Sequence, residues 1–302
     1  MDKFLGYLLP RADNNVHGMR YVKPLSEEQY AEFEEVIRVT SILRPHIVNF
    51  MGLEENFNVF QRLPGEMKSQ FEALSNSMSE GAVGGARRIA KSQNALSSFL
   101  FSAGAFRDRA RMRLRERYGS DDPRVAEWDA VVSAAYDAHF EYRLFYNLRN
   151  YAQHHDIPLS LVPLQSKLND KSKMEATVSV VLAPSKIASS PLVQKRFRPQ
   201  LVGLSADIDL NPVAAVYFRL HAGFLKAIIE MHKEEVAQMH AYREALVSHL
   251  KLPAGAFPVI WEGDFPLNDG ETTDGRFTHF SFDELNLILV LHEHLTRLTT
   301  VD

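Results

Sequence analysis

The first third of the chain carries apolar residues at helical spacing. Within LSEEQYAEFEEVIRVTSIL, four of them fall on one face at about 100° per residue: Tyr30, Phe33, Val36 and Ile37. Ser26 stands three residues before Gln29, a capping-box pattern that predicts where this helix begins. Pro45 and the segment NFMGLEEN predict its end, and GEMKSQFEALSNSM predicts a second helix.

Two longer helical patterns follow. In AKSQNALSSFLFSAGAFRDRARMRLRERYG the apolar face consists of Leu96, Phe99, Leu100, Ala103, Phe106, Ala110 and Leu114. Gly119 is a natural C-cap, and Asp122 before Pro123 predicts the start of the next helix. We expect that helix to run from about Pro123 to about His155. The two helices, antiparallel and joined by a short polar turn, would form an αα-hairpin.

The remaining patterns predict short strands and further helices. MRYVKPL, MEATVSVVLAPSKI, FPVIWEG and RFTHFSF have strand-like composition. Asn211 and Pro212 predict the start of a long helix through SHL at 248–250, with a kink near Gly223. Ser281 and Glu284 form a second capping box, before LNLILVLHEHL. The predicted fold is therefore mainly α, with a few short β-strands.

The glycine-rich stretch SEGAVGGARR predicts a loop and a domain boundary. We divide the chain into an N-terminal helical region (1–89), a helical hairpin (90–158) and a C-terminal region (159–302). The C-terminal region is mostly helical with a small β element, and it can pack with the rest as one domain.

Composition narrows the class of protein. Hydrophobic content is 45%, charged content is 24% and the net charge is -4, values ordinary for a globular protein. The absence of cysteine excludes disulfides, thiolate metal sites and cysteine nucleophiles. MDKFLGYLLPRADNN lacks the pattern of a secretory signal, and no apolar run approaches the roughly 20 residues of a membrane span. We expect a cytoplasmic protein without membrane contact.

Polar residues crowd the segment YRLFYNLRNYAQHHDIPLS, near the end of the second hairpin helix. On a helical wheel four of them lie within about 60° of one another: Arg143, Asn147, Asn150 and His154. Arg149 lies to one side of this polar stripe. Histidine exchanges protons near neutral pH, and arginine binds phosphate through paired hydrogen bonds. Together these residue types suit cleavage of a phosphodiester without a metal ion.

The run RNYAQH, from Arg149 to His154, resembles the R-x4-6-H motif of HEPN domains. In those domains a polar residue, often asparagine, follows the arginine, and the motif lies late in the second long helix of a hairpin. The resemblance covers Ala90 to about Pro158. YRLFYNLRNYAQHHDIP is also similar to a group of uncharacterised bacterial proteins with the same tyrosine, arginine, asparagine and histidine pattern.

The resemblance implies a HEPN-like hairpin or bundle within this mainly α chain, and a metal-independent endoribonuclease without cofactor. The RNA 2′-hydroxyl would attack the adjacent phosphate and leave a cyclic phosphate. Arg149 and His154 would be catalytic, with Asn150 in support and Arg143 assisting. The implied setting is bacterial stress response, toxin–antitoxin function or antiviral defence. The implied partners are RNA, a second copy in a homodimer, and an antitoxin or defence-system protein.

The first hairpin helix is strongly basic. Between Ala86 and Tyr118 stand nine arginine and lysine residues and two acids, Asp108 and Glu116. Two rows at four-residue spacing flank the apolar face: Arg107, Arg111 and Arg115, and Arg109, Arg113 and Arg117. We expect the first row, together with Asn147, to contact the RNA backbone. The alternative is a solvated face that answers acidic neighbours.

Two further readings of the hairpin stay open. Arg143, Asn147 and His154 can satisfy one another and nearby carbonyls inside a bundle, which would leave a helical scaffold. A non-catalytic HEPN-like module could instead bind a protein partner or nucleotide.

HEH at 292–294 is not the H-E-x-x-H zinc signature, so no metal site is predicted. His155, His232 and His240 are expected at the surface.

Overall fold

The computed structural model describes residues 2–9, 18–74, 81–161, 167–168, 174–175, 178–252, 256–263, 276–279 and 282–300. These residues are mostly helical with a few short strands, which confirms the predicted mainly α class. The chain forms two compact units. The first comprises Met1–Pro45 and Ile228–Arg297, and the second comprises His46–Ala227 and Leu298–Asp302. The predicted hairpin lies in the second unit.

The elements follow one another along the chain with helices dominating the middle. In order they are β1 (Lys3–Leu9), β2 (Gly18–Pro24), α1 (Glu27–Leu74), α2 (Gly81–Tyr118), α3 (Pro123–Ala138), α4 (Phe140–Ala152), β3 (Leu159–Leu161), β4 (Lys167–Leu168), β5 (Met174–Glu175), β6 (Val180–Leu182), α5 (Pro184–Ala188), α6 (Arg198–Val202), β7 (Ile208–Asp209), α7 (Leu210–Glu230), α8 (Lys233–Leu250), β8 (Phe257–Glu262), β9 (Arg276–His279) and α9 (Phe282–Thr300).

The first unit contains an antiparallel sheet in the order β2-β1-β8-β9. Leu5 on β1 stands opposite Ile260 on β8, and both side chains are buried. Strands β2, β8 and β9 confirm predictions from the sequence. The sequence patterns do not predict strand β1.

The second unit is organised around α2. Phe99 on this helix contacts Phe57, Phe145 and Tyr217, so residues from α1, α4 and α7 meet on one side of it. Arg111 pairs with Asp129, near the start of α3, whereas earlier residues of α2 contact α4. Helix α2 therefore runs antiparallel to the path that α3 and α4 follow together. This is the hairpin topology that the sequence predicts.

Helix boundaries differ from the predictions at two places in the first half of the chain. Helix α1 continues through Pro45, which was expected to end it. Leu43 and Ile47 are both buried on either side of the proline, and that burial outweighs the loss of one backbone donor. Helix α2 begins at Gly81, so the predicted loop SEGAVGGARR is helical from that residue onward. Ser79 and Glu80 lie outside the described residues.

The second hairpin helix is two helices rather than one. The chain leaves helical geometry at His139, whose φ is -111° and ψ is 122°, between α3 and α4. Neither a glycine nor a proline marks this position, so no local signal predicts the break. After the break, Arg143 near the start of α4 bonds the carbonyls at the end of α3.

The long helix predicted after Asn211 is also divided. The chain turns at Met231 and His232, between α7 and α8, and not near Gly223. His232 is buried and its Nδ1 bonds the carbonyl of Ile228, so its predicted surface position is wrong. His240 is exposed as expected. The N–H of Asn211 donates to the Asp209 carboxylate, so Asp209 rather than Asn211 caps the helix.

Helix α7 has the length and hydropathy that a membrane span would need. Half of its most apolar window is nevertheless buried inside the protein. Buried apolar side chains on it include Leu210, Ala214, Tyr217, Phe218 and Ala222. These contacts are those of a core helix in the second unit.

His221 on α7 is buried against the rings of Tyr217, Tyr142 and Phe224. Its Nδ1 lies 2.9 Å from the Tyr217 carbonyl oxygen, which accepts, so Nδ1 carries the proton of the neutral ring. Burial lowers the pKa of His221 from 6.5 to about 4. The bond to the Tyr217 carbonyl opposes this shift, and the nearby Arg107 guanidinium adds to it.

We expect His221 to make stability fall on acidification. The unfolded side chain takes up a proton as pH falls through 6.5, whereas the folded one stays neutral until about pH 4. Its contribution to the free energy of unfolding is therefore complete above pH 6.5, and it should decrease by about 3 kcal/mol as pH falls to 4. Urea unfolding of wild type and His221→Leu across this pH range measures the difference.

The variant should lose less free energy of unfolding than wild type over that window. His240→Gln, which removes an exposed histidine from α8, is the control and should follow wild type. Parallel pH profiles for wild type and His221→Leu would contradict the prediction.

Candidate functional site

Arg143 fastens the start of α4 to the end of α3. Its Nη1 donates to the carbonyl oxygens of Tyr136 at 2.8 Å and Asp137 at 2.7 Å. Because α3 stops at Ala138, these carbonyls lack helical partners, and the guanidinium supplies the missing donors. Its Nε also donates to Gln200 at 3.2 Å. Arg143 therefore positions α4, whatever further part it takes.

Asn147 is fully buried and bonded on both sides of its amide. Its Nδ2 donates to the carbonyl of Arg143 at 2.8 Å, and its Oδ1 accepts from the backbone N–H of Gln194 at 2.8 Å. The side chain thus joins α4 to the segment before α6. A fully buried amide bonded in this way is not accessible to the RNA that the sequence analysis assigned to it.

Arg149, in the last turn of α4, lies across α2 at Gly104. A Cβ built on Gly104 would stand 2.2 Å from Arg149 Nε and 2.4 Å from Cζ, so only glycine leaves room for this guanidinium. One terminal nitrogen of Arg149 donates to Asp108 at 3.3 Å. The side chain is 19% exposed, so most of it is held inside while part of its head meets solvent.

His154 lies just beyond α4, which ends at Ala152. Its backbone N–H donates to the Tyr151 carbonyl at 3.1 Å, and its side chain is exposed. Asn150 is half-buried. Within the described residues, no hydrogen bond or ion pair joins the imidazole of His154 to the guanidinium of Arg149. The RNYAQH motif therefore presents an open imidazole one turn beyond a largely enclosed arginine.

The adjacent His155 is exposed as predicted, and its ring lies 5.0 Å from that of Tyr151. His154 and His155 are thus both exposed. They differ in the contact with Tyr151 and in their place in the motif, so His155 is a matched control for His154.

The first arginine row of α2 has partners within the protein. Arg107 pairs with Asp108, and Arg111 binds both oxygens of Asp129 at 2.7 and 2.6 Å. Arg115 donates twice to the hydroxyl of Ser120. These contacts agree with the alternative in which the arginines of the basic face pair with neighbouring polar and acidic groups. The side chain of Arg111 is nevertheless 48% exposed, so it also meets solvent.

Asp108 joins two of these arginines. Its Oδ1 accepts from Nε and Nη2 of Arg107 at 2.9 and 2.6 Å, and its Oδ2 accepts from Arg149. Burial acts to lower the pKa of Arg107, but Tyr142 and Asp108 outweigh it and raise the pKa above its ordinary value. Arg107 therefore stays charged although only 15% of its side chain is exposed.

Sequence reasoning missed Gly104 and Asp108 as members of this site. Asp108 carried a signal, since it is one of two acids in the basic helix. Gly104 carried a weaker one, a glycine in the middle of an apolar helical face, where a close approach is one of the usual reasons. Which side chain approaches could be known only from the packing of α4 on α2.

We expect Gly104→Ala to displace Arg149. The added methyl group cannot fit beside Nε and Cζ, so the guanidinium, which is the end of a flexible side chain, must swing away and give up its burial and its bond to Asp108. This loss should offset most of the roughly 0.5–1 kcal/mol that alanine ordinarily adds over glycine in a helix. Urea unfolding measures the net change. Gly85→Ala on the same helix meets nothing within 4 Å and should instead stabilise by about 0.5–1 kcal/mol. Equal effects of the two substitutions would contradict the close contact.

The chain matches no protein-family model, no curated protein and no solved structure. Any proposal of function therefore rests on the residues and geometry of the chain itself.

Proposed function

We propose that the chain is a metal-independent endoribonuclease of HEPN type, which cleaves RNA by attack of a 2′-hydroxyl on the adjacent phosphate. The observation that carries the proposal is the exposure of His154 directly after α4, in a motif whose arginine occupies the last turn of that helix. An exposed imidazole is accessible to a polymer, which a buried one is not.

The proposed chemistry divides between two side chains. His154 takes the proton of the attacking 2′-hydroxyl or gives one to the departing 5′-oxygen, which is the ordinary work of a general acid or base. Arg149 binds the phosphate and neutralises the charge that develops on its oxygens. Asn150 orients the histidine or contacts the ribose. Attack by the 2′-oxygen breaks the bond to the 5′-oxygen and leaves a cyclic phosphate.

The remaining predicted residues take no part in the chemical step of this proposal. Arg143 and Asn147 hold α4 against α3 and Gln194, and so fix the direction in which the motif points. Arg111 and Arg115 contact the RNA backbone. Their protein contacts are exposed, and exposed ion pairs contribute only about 0–1 kcal/mol, so phosphates can replace them. Arg107 is largely enclosed and less suited to this role.

The proposed setting follows the family resemblance. The protein would act in the bacterial cytoplasm, in stress response or phage defence, as a homodimer restrained by an antitoxin or other defence protein. A second copy would bring two motifs together into one composite site.

A second candidate is a HEPN-like module that binds a protein partner or nucleotide without cleaving RNA. The pairing of Arg149 with Asp108 favours it, because an arginine whose head faces a carboxylate is less available to a phosphate. This reading predicts binding without turnover.

Cleavage of total RNA in excess EDTA tests the proposal. We expect wild type to cut RNA and His154→Ala to be slower by roughly 10²–10⁴-fold, the usual contribution of a general acid or base. His155→Ala removes the neighbouring exposed imidazole and should retain wild-type activity. A cyclic phosphate at the new 3′ end identifies the chemistry.

Arg149→Gln extends the test, with circular dichroism confirming that the variant folds. It should lose cleavage as His154→Ala does. Equal activity of wild type, His154→Ala and His155→Ala would reject the proposal. RNA that is retained by every variant but cut by none would leave the binding module in its place.

A further inference from the structure

The second unit contains a polar pocket of about 360 Å³ that the proposed RNA cleavage does not use. It lies between α3, α4 and the segment before α6. The side chains on which its chemistry depends are Arg107, Tyr136, Tyr142, Tyr146, Gln194 and Arg196. Arg149 and His154 are not among the residues that line it, so the pocket is separate from the proposed catalytic groups.

Two guanidinium groups reach the pocket, each against a tyrosine ring. Arg107 lies 5.1 Å from the ring centre of Tyr146, and Arg196 lies 4.6 Å from that of Tyr136. Arg196 is exposed and its Nε donates to Gln194 at 3.2 Å. No carboxylate pairs with Arg196 within the described part of the chain. Stacking on a ring restrains a guanidinium and leaves its edge exposed to other groups. Arg107 gives Nε and Nη2 to Asp108, so Nη1 is its nitrogen left for an anion, whereas both terminal nitrogens of Arg196 are left by its bond to Gln194.

The inner wall holds the hydroxyl of Tyr142, whose side chain is 1% exposed. Its oxygen faces the Arg107 guanidinium, which can only donate, so the hydroxyl proton has no acceptor among the described residues. Burial raises the pKa of Tyr142 against the opposing effect of Arg107, so the hydroxyl keeps its proton and can donate it. A buried donor beside a cation has the chemistry to meet an anionic oxygen.

The rim limits the charge of a ligand. Asp129 and Asp137 also line the pocket, and Asp137 is exposed. Asp129 is paired with Arg111, and Arg107 is paired with Asp108, so Arg196 and Asp137 are the charges that face a ligand most openly. One such cation disfavours a polyphosphate and suits a single phosphate. Asp137 can accept hydrogen bonds from hydroxyl groups such as those of a ribose. The volume is in the range of small-molecule sites, and it exceeds what inorganic phosphate alone would fill.

We infer that this pocket binds a nucleoside monophosphate. Its phosphate lies between Arg107 and Arg196 within reach of the Tyr142 hydroxyl, its sugar hydroxyls face Asp137, and its planar base packs on the tyrosine rings. The inference does not depend on RNA cleavage, because the groups proposed for cleavage do not line the pocket.

Calorimetry on the full chain carrying His154→Ala tests the inference in the absence of turnover. The probes are AMP, GMP, CMP and UMP, with adenosine and inorganic phosphate beside them. At least one monophosphate should bind saturably, and at least about tenfold more tightly than adenosine or inorganic phosphate. No saturable binding by any monophosphate would overturn the inference, as would equal affinity for inorganic phosphate.

Variants locate the binding. Arg196→Gln should lower the affinity for the monophosphate by about tenfold or more, since it removes a charge-assisted contact. Residue 196 is exposed, so the substitution should leave the fold intact. Arg87→Gln removes an exposed arginine of the same kind about 30 Å from Arg107 along α2, and should change nothing. Tyr142→Phe should also weaken binding. Equal affinities of the Arg196 and Arg87 variants would place the ligand elsewhere and reject the site.

Discussion

The second unit depends on pairing the polar groups that α4 carries toward the interior. Leaving a buried amide or guanidinium group without any partner costs about 1–3 kcal/mol, so each such side chain forms at least one bond as the helix packs. Arg143 binds the free carbonyls of α3, Asn147 bonds the backbone on two sides, and Arg149 reaches Asp108. These bonds fix the rotation and depth of α4, and with them the direction of the motif that follows.

The polar residues crowded on α4 therefore serve two purposes, one structural and one that concerns the solvent-exposed motif. The middle residues of α4 serve the break between α3 and α4, and its last residues extend into a segment open to solvent. A single stripe on a helical wheel could not separate these roles, because the wheel shows which residues share a face and not what packs against each of them. The end of α4 at Ala152 separates the residues that serve packing from the exposed His154.

Periodicity predicted the type of most helices and strands, and tertiary packing set their limits. Gly119 and Asp122 marked the turn between α2 and α3 because local caps decide such ends. Pro45 did not end α1, since buried neighbours on both sides kept the helix intact. For the site, the sequence indicated Arg149 and His154, but the partners of Arg107 and Arg111 depend on which helices meet, which spacing along one helix cannot show.

The fit of Arg149 over Gly104 links two residues that are far apart in the chain. A lineage that acquired a larger side chain at 104 would have to move the guanidinium at 149 or replace it, and one that lost the arginine would be free to fill the space above the glycine. Changes at the two positions should therefore be correlated. Their joint presence in a distant sequence would mark this helix contact more reliably than either residue could.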